Sequence, residues 1–156
     1  MATPKVQKGT YRMAHTNFWK VIRKFGKDAH QEALVMLHLE TGPLAHYSGL
    51  YQISIHDIAA YCCMSLKDAE NAIHGLSNRG LIVWDETRQL VYVRKMAYRQ
   101  LGRNELNAKD ITGICYHAER MPEDSRAVQA FVIDYSKAYQ DIEDFFIGRV
   151  ELYEAS

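Results

Sequence analysis

The sequence lacks the features that identify disulfide-bonded, secreted and membrane-spanning proteins. It contains only three cysteines, of which Cys62 and Cys63 are adjacent, and such an odd set does not indicate a disulfide framework. No apolar run approaches the roughly 20 residues of a membrane-spanning helix, and the N-terminus has no apolar secretory segment. We therefore expect a cytoplasmic protein without a membrane partner.

The spacings that indicate metal binding and catalysis are also missing. The seven histidines and three cysteines form no Cys-x-x-Cys, His-x-His or His-Glu-x-x-His pattern. There is no glycine-rich phosphate loop and no Gly-x-Ser-x-Gly turn around a nucleophile. The sequence therefore predicts no metal, no cofactor and no catalytic residue, and we expect a protein that is not an enzyme.

The charges of the chain cancel overall but are unevenly distributed. Residues 1–30 contain seven basic residues and one acidic residue, a net charge of +6, whereas residues 117–156 carry −5. Such asymmetry is typical of a protein with one end that faces a polyanion and another that faces solvent or a partner. Clusters that serve only solubility would give the same distribution.

The segment from Ile53 to Met96 has the clearest pattern. Ser54 and Ser65 are each followed three residues later by Asp57 and Asp68, which predicts the starts of two helices separated by a short turn. Gly80 ends the second helix. The β-rich runs 81–84 and 89–94, joined by the polar residues 85–88, predict a hairpin. This order predicts a mainly α protein with a small β-wing (α+β), a winged helix-turn-helix followed by C-terminal helices.

The flanking segments complete the predicted organisation. We expect a flexible basic arm over residues 1–10, a winged-helix domain over 11–100 and a C-terminal helical extension over 101–156. On the N-terminal side, the sequence predicts a strand at 11–15, a helix capped by Thr16 or Asn17, a helix capped by Asp28 that stops at Gly42-Pro43, and a strand at 50–54. The helix capped by Asp28 should bury Ala33, Leu34 and Leu37, with Met36 as a further candidate. On the C-terminal side, it predicts a helix capped by Asn104 or Asn107, a helix capped by Ser125 that carries Val128, Phe131, Val132, Tyr135 and Tyr139, and a terminal helix at 142–153.

In a winged helix the second helix of the motif enters the major groove of DNA. If Leu66, Ala69, Ile73 and Leu76 face inward, the residues available to DNA on this helix are Ser65, Lys67, Asn71, His74 and Asn78. The expected contacts elsewhere are Thr87 and Arg88 on the wing and Lys5, Lys8 and Arg12 on the arm. The acidic residues Asp68, Glu70, Asp85 and Glu86 oppose binding because they would lie near phosphates.

Several short motifs follow one another in a consistent order between residues 11 and 139: Tyr11-Arg-Met-Ala-His-Thr-Asn-Phe-Trp19, Thr41-Gly42-Pro43, Gly49-Leu50-Tyr51, Ile55-His-Asp-Ile-Ala59, the segment 76–93, and Met121-Pro122 with Ser125, Phe131 and Tyr135. Together they resemble the winged-helix replication-initiation proteins of phages and prophages, also called replisome organisers and related to the DnaD type. The resemblance implies a DNA-binding module without catalysis that works with phage or host replication proteins in a bacterial host cell.

Two other functions fit the same predicted fold. The acidic C-terminal segment and the acids on the second helix favour a phage-encoded protein-interaction module, an inhibitor or adaptor of a host replication or defence complex. A transcriptional repressor that forms a homodimer through its C-terminal helices is the other alternative.

Overall fold

A computed structural model describes residues 12 and 14 and the ranges 16–102 and 105–138. The elements within these ranges are α1 (Asn17–Arg23), α2 (His30–Thr41), β1 (Leu50–Gln52), α3 (Ile55–Tyr61), α4 (Leu66–Asn78), β2 (Ile82–Asp85), β3 (Leu90–Val93), α5 (Met96–Leu101), α6 (Ala108–Ala118) and α7 (Arg126–Ala138). The predicted α+β class is confirmed. The predicted arm, the strand at 11–15, the alternative cap Asn104, Tyr139 and the terminal helix lie outside the described residues, except that residues 12 and 14 are described and are not in a strand.

The three strands form one antiparallel sheet in the order β1–β3–β2. Tyr92 of the central strand lies opposite Leu50 on one side and Val83 on the other. Alternate residues of β3 point to opposite faces, so Val91 and Val93 join a core with α1 to α4, whereas Leu90 and Tyr92 join a second core with α5 to α7. The sheet is therefore covered on both faces.

The helix boundaries around the central segment are confirmed, and the reasons are local. The hydroxyl oxygens of Ser54 and Ser65 accept hydrogen bonds from the backbone N–H groups of Asp57 and Asp68, at 3.0 and 3.1 Å. Asn107 and Asp110 form a reciprocal capping box at the start of α6. Gly80, with φ +72°, follows the last turn of α4.

Other sequence predictions are wrong. Asp28 does not cap α2, which begins after Ala29 with no side-chain cap, and Thr16 makes no cap hydrogen bond either. The buried face of α2 consists of Val35, Met36, Leu39 and Glu40. Of the predicted residues, Met36 is buried and Leu37 packs against the core, whereas Leu34 is 46% exposed. The run Ala-Leu-Val-Met-Leu is apolar on nearly every side, so its spacing does not select a face. Leu66, which was predicted to face inward, is exposed because it precedes the part of α4 that packs. The sequence patterns do not predict the short helix α5.

No helix among the described residues is long and apolar enough to cross a bilayer. The apolar residues of α7 (Val128, Phe131, Val132, Tyr135) are buried within the same chain, against the sheet and α6. A dimer formed through the C-terminal helices would therefore have to use other residues of these helices.

Gly49 lies where the loop after α2 enters β1, close to the end of β3 and the start of α5. Its φ is +81°, and a Cβ there would meet the carbonyl oxygen of Val93 and lie 2.9 Å from the Cβ of Met96. Gly80 also has a positive φ, but nothing lies within 4 Å of its Cβ position. Substitution of Gly80 therefore introduces backbone strain alone, whereas substitution of Gly49 adds a steric clash.

We expect Gly49→Ala to lower the free energy of unfolding by about 3 kcal/mol, since strain and collision add. The matched Gly80→Ala variant should lose only about 1 kcal/mol, the cost of the left-handed backbone alone. Urea denaturation followed by circular dichroism measures both. Equal losses would mean that the loop relaxes freely away from β3.

Candidate nucleic-acid interface

Helix α4 presents one face to the core and the opposite face to solvent. Its apolar face (Ala69, Ala72, Ile73, Leu76) is buried against α2 and α3. Lys67, Asn71, His74 and Asn78 recur every three or four residues, and all four are exposed. The structure therefore brings the predicted α4 contacts together on one accessible surface, about 16 Å long at 1.5 Å per residue.

Ser65 lies at the N-terminal end of this face. Its oxygen accepts the cap hydrogen bond from Asp68 N–H, which leaves the hydroxyl hydrogen available to a phosphate. Asp68 in the same turn complements the helix dipole but places a negative charge beside that position.

The hairpin tip, residues 86–89, is attached to the rest of the molecule. Gln89 accepts a hydrogen bond at 2.6 Å from the backbone N–H of Ile55 and donates one at 2.7 Å to the carbonyl of Glu86, so the tip is held against the start of α3. Thr87 is exposed. Sequence reasoning did not identify Gln89, whose partner lies at the start of a helix distant in the chain.

Arg88 is not a free cation at the tip. Its guanidinium forms an ion pair with Asp124, in the turn before α7, and lies 4.0 Å from Asp85. Asp85 is only 8% exposed, and its carboxylate accepts a hydrogen bond from the backbone N–H of Arg88. The expectation that Asp85 faces phosphates is therefore wrong, because this acid is buried and holds the tip in place.

A small notch of about 60 Å³ separates α4 from the hairpin tip. Glu70 and His74 line it from α4, and Glu86 lines it from the tip. Both glutamates are exposed. Two acids that are distant in the sequence therefore add their charges where α4 meets the hairpin.

Positive charge is concentrated on the outer side of α1 and the turn that follows it. Lys20, Arg23, Lys24 and Lys27 are all exposed, and none forms an ion pair within the described residues. We call these four residues the α1 cation cluster. It holds four of the seven basic residues that the sequence places in residues 1–30, and Lys5 and Lys8 lie outside the described residues.

Arg79 places this cluster beside the C-terminal end of α4. It caps that end, and its guanidinium lies 4.2 Å from the ring centre of Phe25 and donates to the Phe25 carbonyl at 3.1 Å. It also donates to Glu32 of α2 at 2.6 Å. The α1 cation cluster and the exposed face of α4 are therefore adjacent surfaces.

Comparison of the chain with protein-family models, curated proteins and solved structures found no match.

Arg12, predicted as a backbone contact to DNA, has a structural partner. Its Nε and Nη2 both donate to the carbonyl of Ala45, at 3.1 and 2.9 Å, and so hold the Arg12 side chain against the loop before β1. Groups of three or more side chains suited to a metal are absent from the ranges that the structure describes.

Next to Arg12, the rings of His46 and His117 stack with 3.6 Å between centroids and join this loop to α6. His46 Nδ1 accepts a hydrogen bond from the Ser48 backbone N–H at 3.2 Å, and His117 Nε2 donates to the Leu50 carbonyl at 2.6 Å. Burial, then His117, then Arg12 lower the pKa of His46 to about 4. Burial is also the main cause that lowers the pKa of His117, so both rings are uncharged near neutral pH.

Because of the stacked pair His46 and His117, we expect the protein to lose stability in mild acid. The unfolded chain takes up a proton at His46 near pH 6.5, whereas the folded chain resists until about pH 4, so the stabilisation present above pH 6.5 is lost as the pH falls toward 4. We expect His46→Gln to make the unfolding free energy less dependent on pH across this interval. Denaturation curves at a series of pH values measure it, with the exposed His30→Gln as control. Parallel curves for wild type and His46→Gln would contradict the assignment.

Proposed function

We propose that the chain is a winged-helix DNA-binding protein of the kind that phages use in replication initiation or its control, acting in the cytoplasm of the bacterial host cell. The order α2–β1–α3–α4–β2–β3, with β3 between β1 and β2, supports this assignment. In such a fold α4 is the recognition helix and the β2–β3 hairpin is the wing.

The observation that carries the proposal is the exposed polar face of α4 beside the α1 cation cluster. Asn71 can bond an adenine edge through two hydrogen bonds, and Lys67 can reach a guanine or a phosphate. His74 and Asn78 extend the same row, and Ser65 can donate to a phosphate at the helix start. These groups would supply specificity and fix the position of the protein along the DNA. Lys67, as the only lysine among them, would add little to the affinity.

The α1 cation cluster supplies the missing positive charge. Neutralising phosphates releases counterions, and this term dominates non-specific affinity. Because Arg88 is already paired with Asp124, the hairpin contributes less charge than the sequence predicted. We therefore expect α1, rather than the wing, to hold the DNA backbone.

Titration of duplex DNA at two salt concentrations separates these roles. Replacing Lys20, Arg23, Lys24 and Lys27 with Gln should weaken binding to all sequences, and the slope of log affinity against log salt should fall by about 0.9 for each phosphate that is no longer neutralised. Asn71→Ala should instead cost about 1–3 kcal/mol on preferred sequences and leave the slope unchanged.

Lys109→Gln, an exposed cation at the start of α6, is the control and should bind as wild type does. Unchanged duplex affinity after Lys67→Ala, Asn71→Ala and Arg88→Ala are combined would exclude the α4 and wing surface as the binding site.

A second candidate function is a protein-interaction module that binds a basic partner, such as a replication or defence protein of the host. The notch between α4 and the hairpin favours it, because Glu70 and Glu86 present two negative charges where a winged helix approaches the phosphate backbone. Acidic surfaces of this kind can take the place of nucleic acid on a basic protein.

The double variant Glu70→Gln and Glu86→Gln discriminates between the two functions. If the surface binds DNA, the variant should bind duplex more tightly at low salt, by up to about 30-fold, since each of the two charges contributes about 1 kcal/mol at contact distance in water. The control pair Glu105→Gln and Glu119→Gln removes two exposed acids elsewhere and should change little. Absence of duplex binding in wild type and variant alike would favour the protein-interaction module.

A further inference from the structure

Helix α1 divides its residues cleanly between the core and solvent. Phe18 is buried at 6% exposure, and Ile22 and Phe25 pack against the same core. At 100° per residue the opposite sector holds Trp19, Lys20, Arg23 and Lys24, and Lys24 keeps helical backbone angles as the C-cap. The apolar side anchors α1, so the other side is a fixed, outward-facing surface.

Trp19 is the exception on this surface, because it is the only member that is not a cation. Its side chain is 64% exposed, the highest value among the exposed large hydrophobic residues of the described ranges. Its ring meets the buried Phe18 edge-on, with 5.6 Å between centroids, so an anchored neighbour supports it. Arg23 follows one helical turn later and lies beside it.

An exposed indole beside the α1 cation cluster matches the chemistry of single-stranded nucleic acid. Proteins that bind single strands combine aromatic rings, on which unpaired bases stack, with cations that follow the phosphates. In a duplex the base faces are already stacked and cannot reach such a ring. The flat face of Trp19 is therefore of use to a single strand and of little use to a duplex.

A membrane surface is a poorer match. Helices that lie in a lipid interface need an extended apolar face that enters the acyl boundary. The apolar side of α1 is already packed in the core, and Trp19 alone remains outside it.

We propose that the outer face of α1 binds single-stranded DNA, with a base stacked on Trp19 and the flanking phosphates on Arg23, Lys20 and Lys24. The inference rests on the proposed nucleic-acid binding but not on α4. The single strand would use the same α1 cations that hold the duplex backbone, and Trp19 is the contact that only the single strand uses. This would place a protein of this kind at the edge of an opened duplex.

The two tryptophans of the chain make the test direct. Trp84 is 4% exposed, so quenching by a short single-stranded oligothymidylate reports on Trp19. We expect the oligonucleotide to quench wild-type emission, and Trp19→Phe to abolish this change while it retains binding. Trp19→Ala should weaken binding, followed by anisotropy of a labelled oligonucleotide, by about tenfold. Trp19 is exposed, so neither variant disturbs the core.

Tyr116→Ala is the matched control. Tyr116 is the comparable aromatic residue on α6, 58% exposed with Arg120 over its ring, and its loss should leave single-strand affinity unchanged. In the duplex titration Trp19→Ala should bind as wild type does, whereas Asn71→Ala should not.

Failure of this inference and failure of the proposed function give different results. Wild type that neither quenches nor binds the single strand, or Trp19→Ala that binds it with unchanged affinity, would overturn the inference whatever the duplex titration shows. Binding to phosphatidylserine vesicles in place of the oligonucleotide would overturn it in favour of a lipid surface. Single-strand binding through Trp19 without duplex binding would support the inference and refute the role of α4.

Discussion

The burial of β3 on both faces is the constraint on which the other elements depend. All four residues Leu90–Val93 are buried, and they divide the apolar interior into one core below α1 to α4 and another below α5 to α7. Tyr92 extends the second core to its edge, where its hydroxyl donates to Asp134 of α7 at 3.0 Å and Arg94 binds both oxygens of the same carboxylate at 2.9 Å. The β2–β3 hairpin, which would be a free wing in a winged helix, is therefore packed between the two cores.

Local signals explain why much of the fold could be predicted. A helix cap needs only a side chain and a backbone group three residues apart, so Ser54, Ser65 and Asn107 are recognisable from sequence. The face of α2 could not be predicted, because its apolar residues surround the axis and only the partner helices decide which are buried. The short α5 begins after Lys95, whose φ is +57°, and has no side-chain cap to mark it.

The candidate site also combines features that the sequence predicts with features that it does not. The outward row of α4 follows from a spacing of three and four residues, and the structure keeps it together. The pairing of Arg88 with Asp124 joins residues 36 positions apart, and the stacked His46 and His117 are farther apart still. Such contacts depend on how α6 and α7 return to the sheet, and no local pattern encodes that path.

Electrostatics orients any polyanion on this surface. The net charge of the chain is zero, so long-range attraction is weak and the local arrangement of charge decides where phosphates lie. The acids Glu70 and Glu86 occupy the hairpin end of the interface, while the α1 cation cluster lies beside the other end, next to Arg79. Phosphates would therefore be held most strongly at the C-terminal end of α4 and across α1, and least strongly beside the notch. The same polarity puts the stacking surface of Trp19 along the favoured path, since it shares the outer side of α1 with three of these cations.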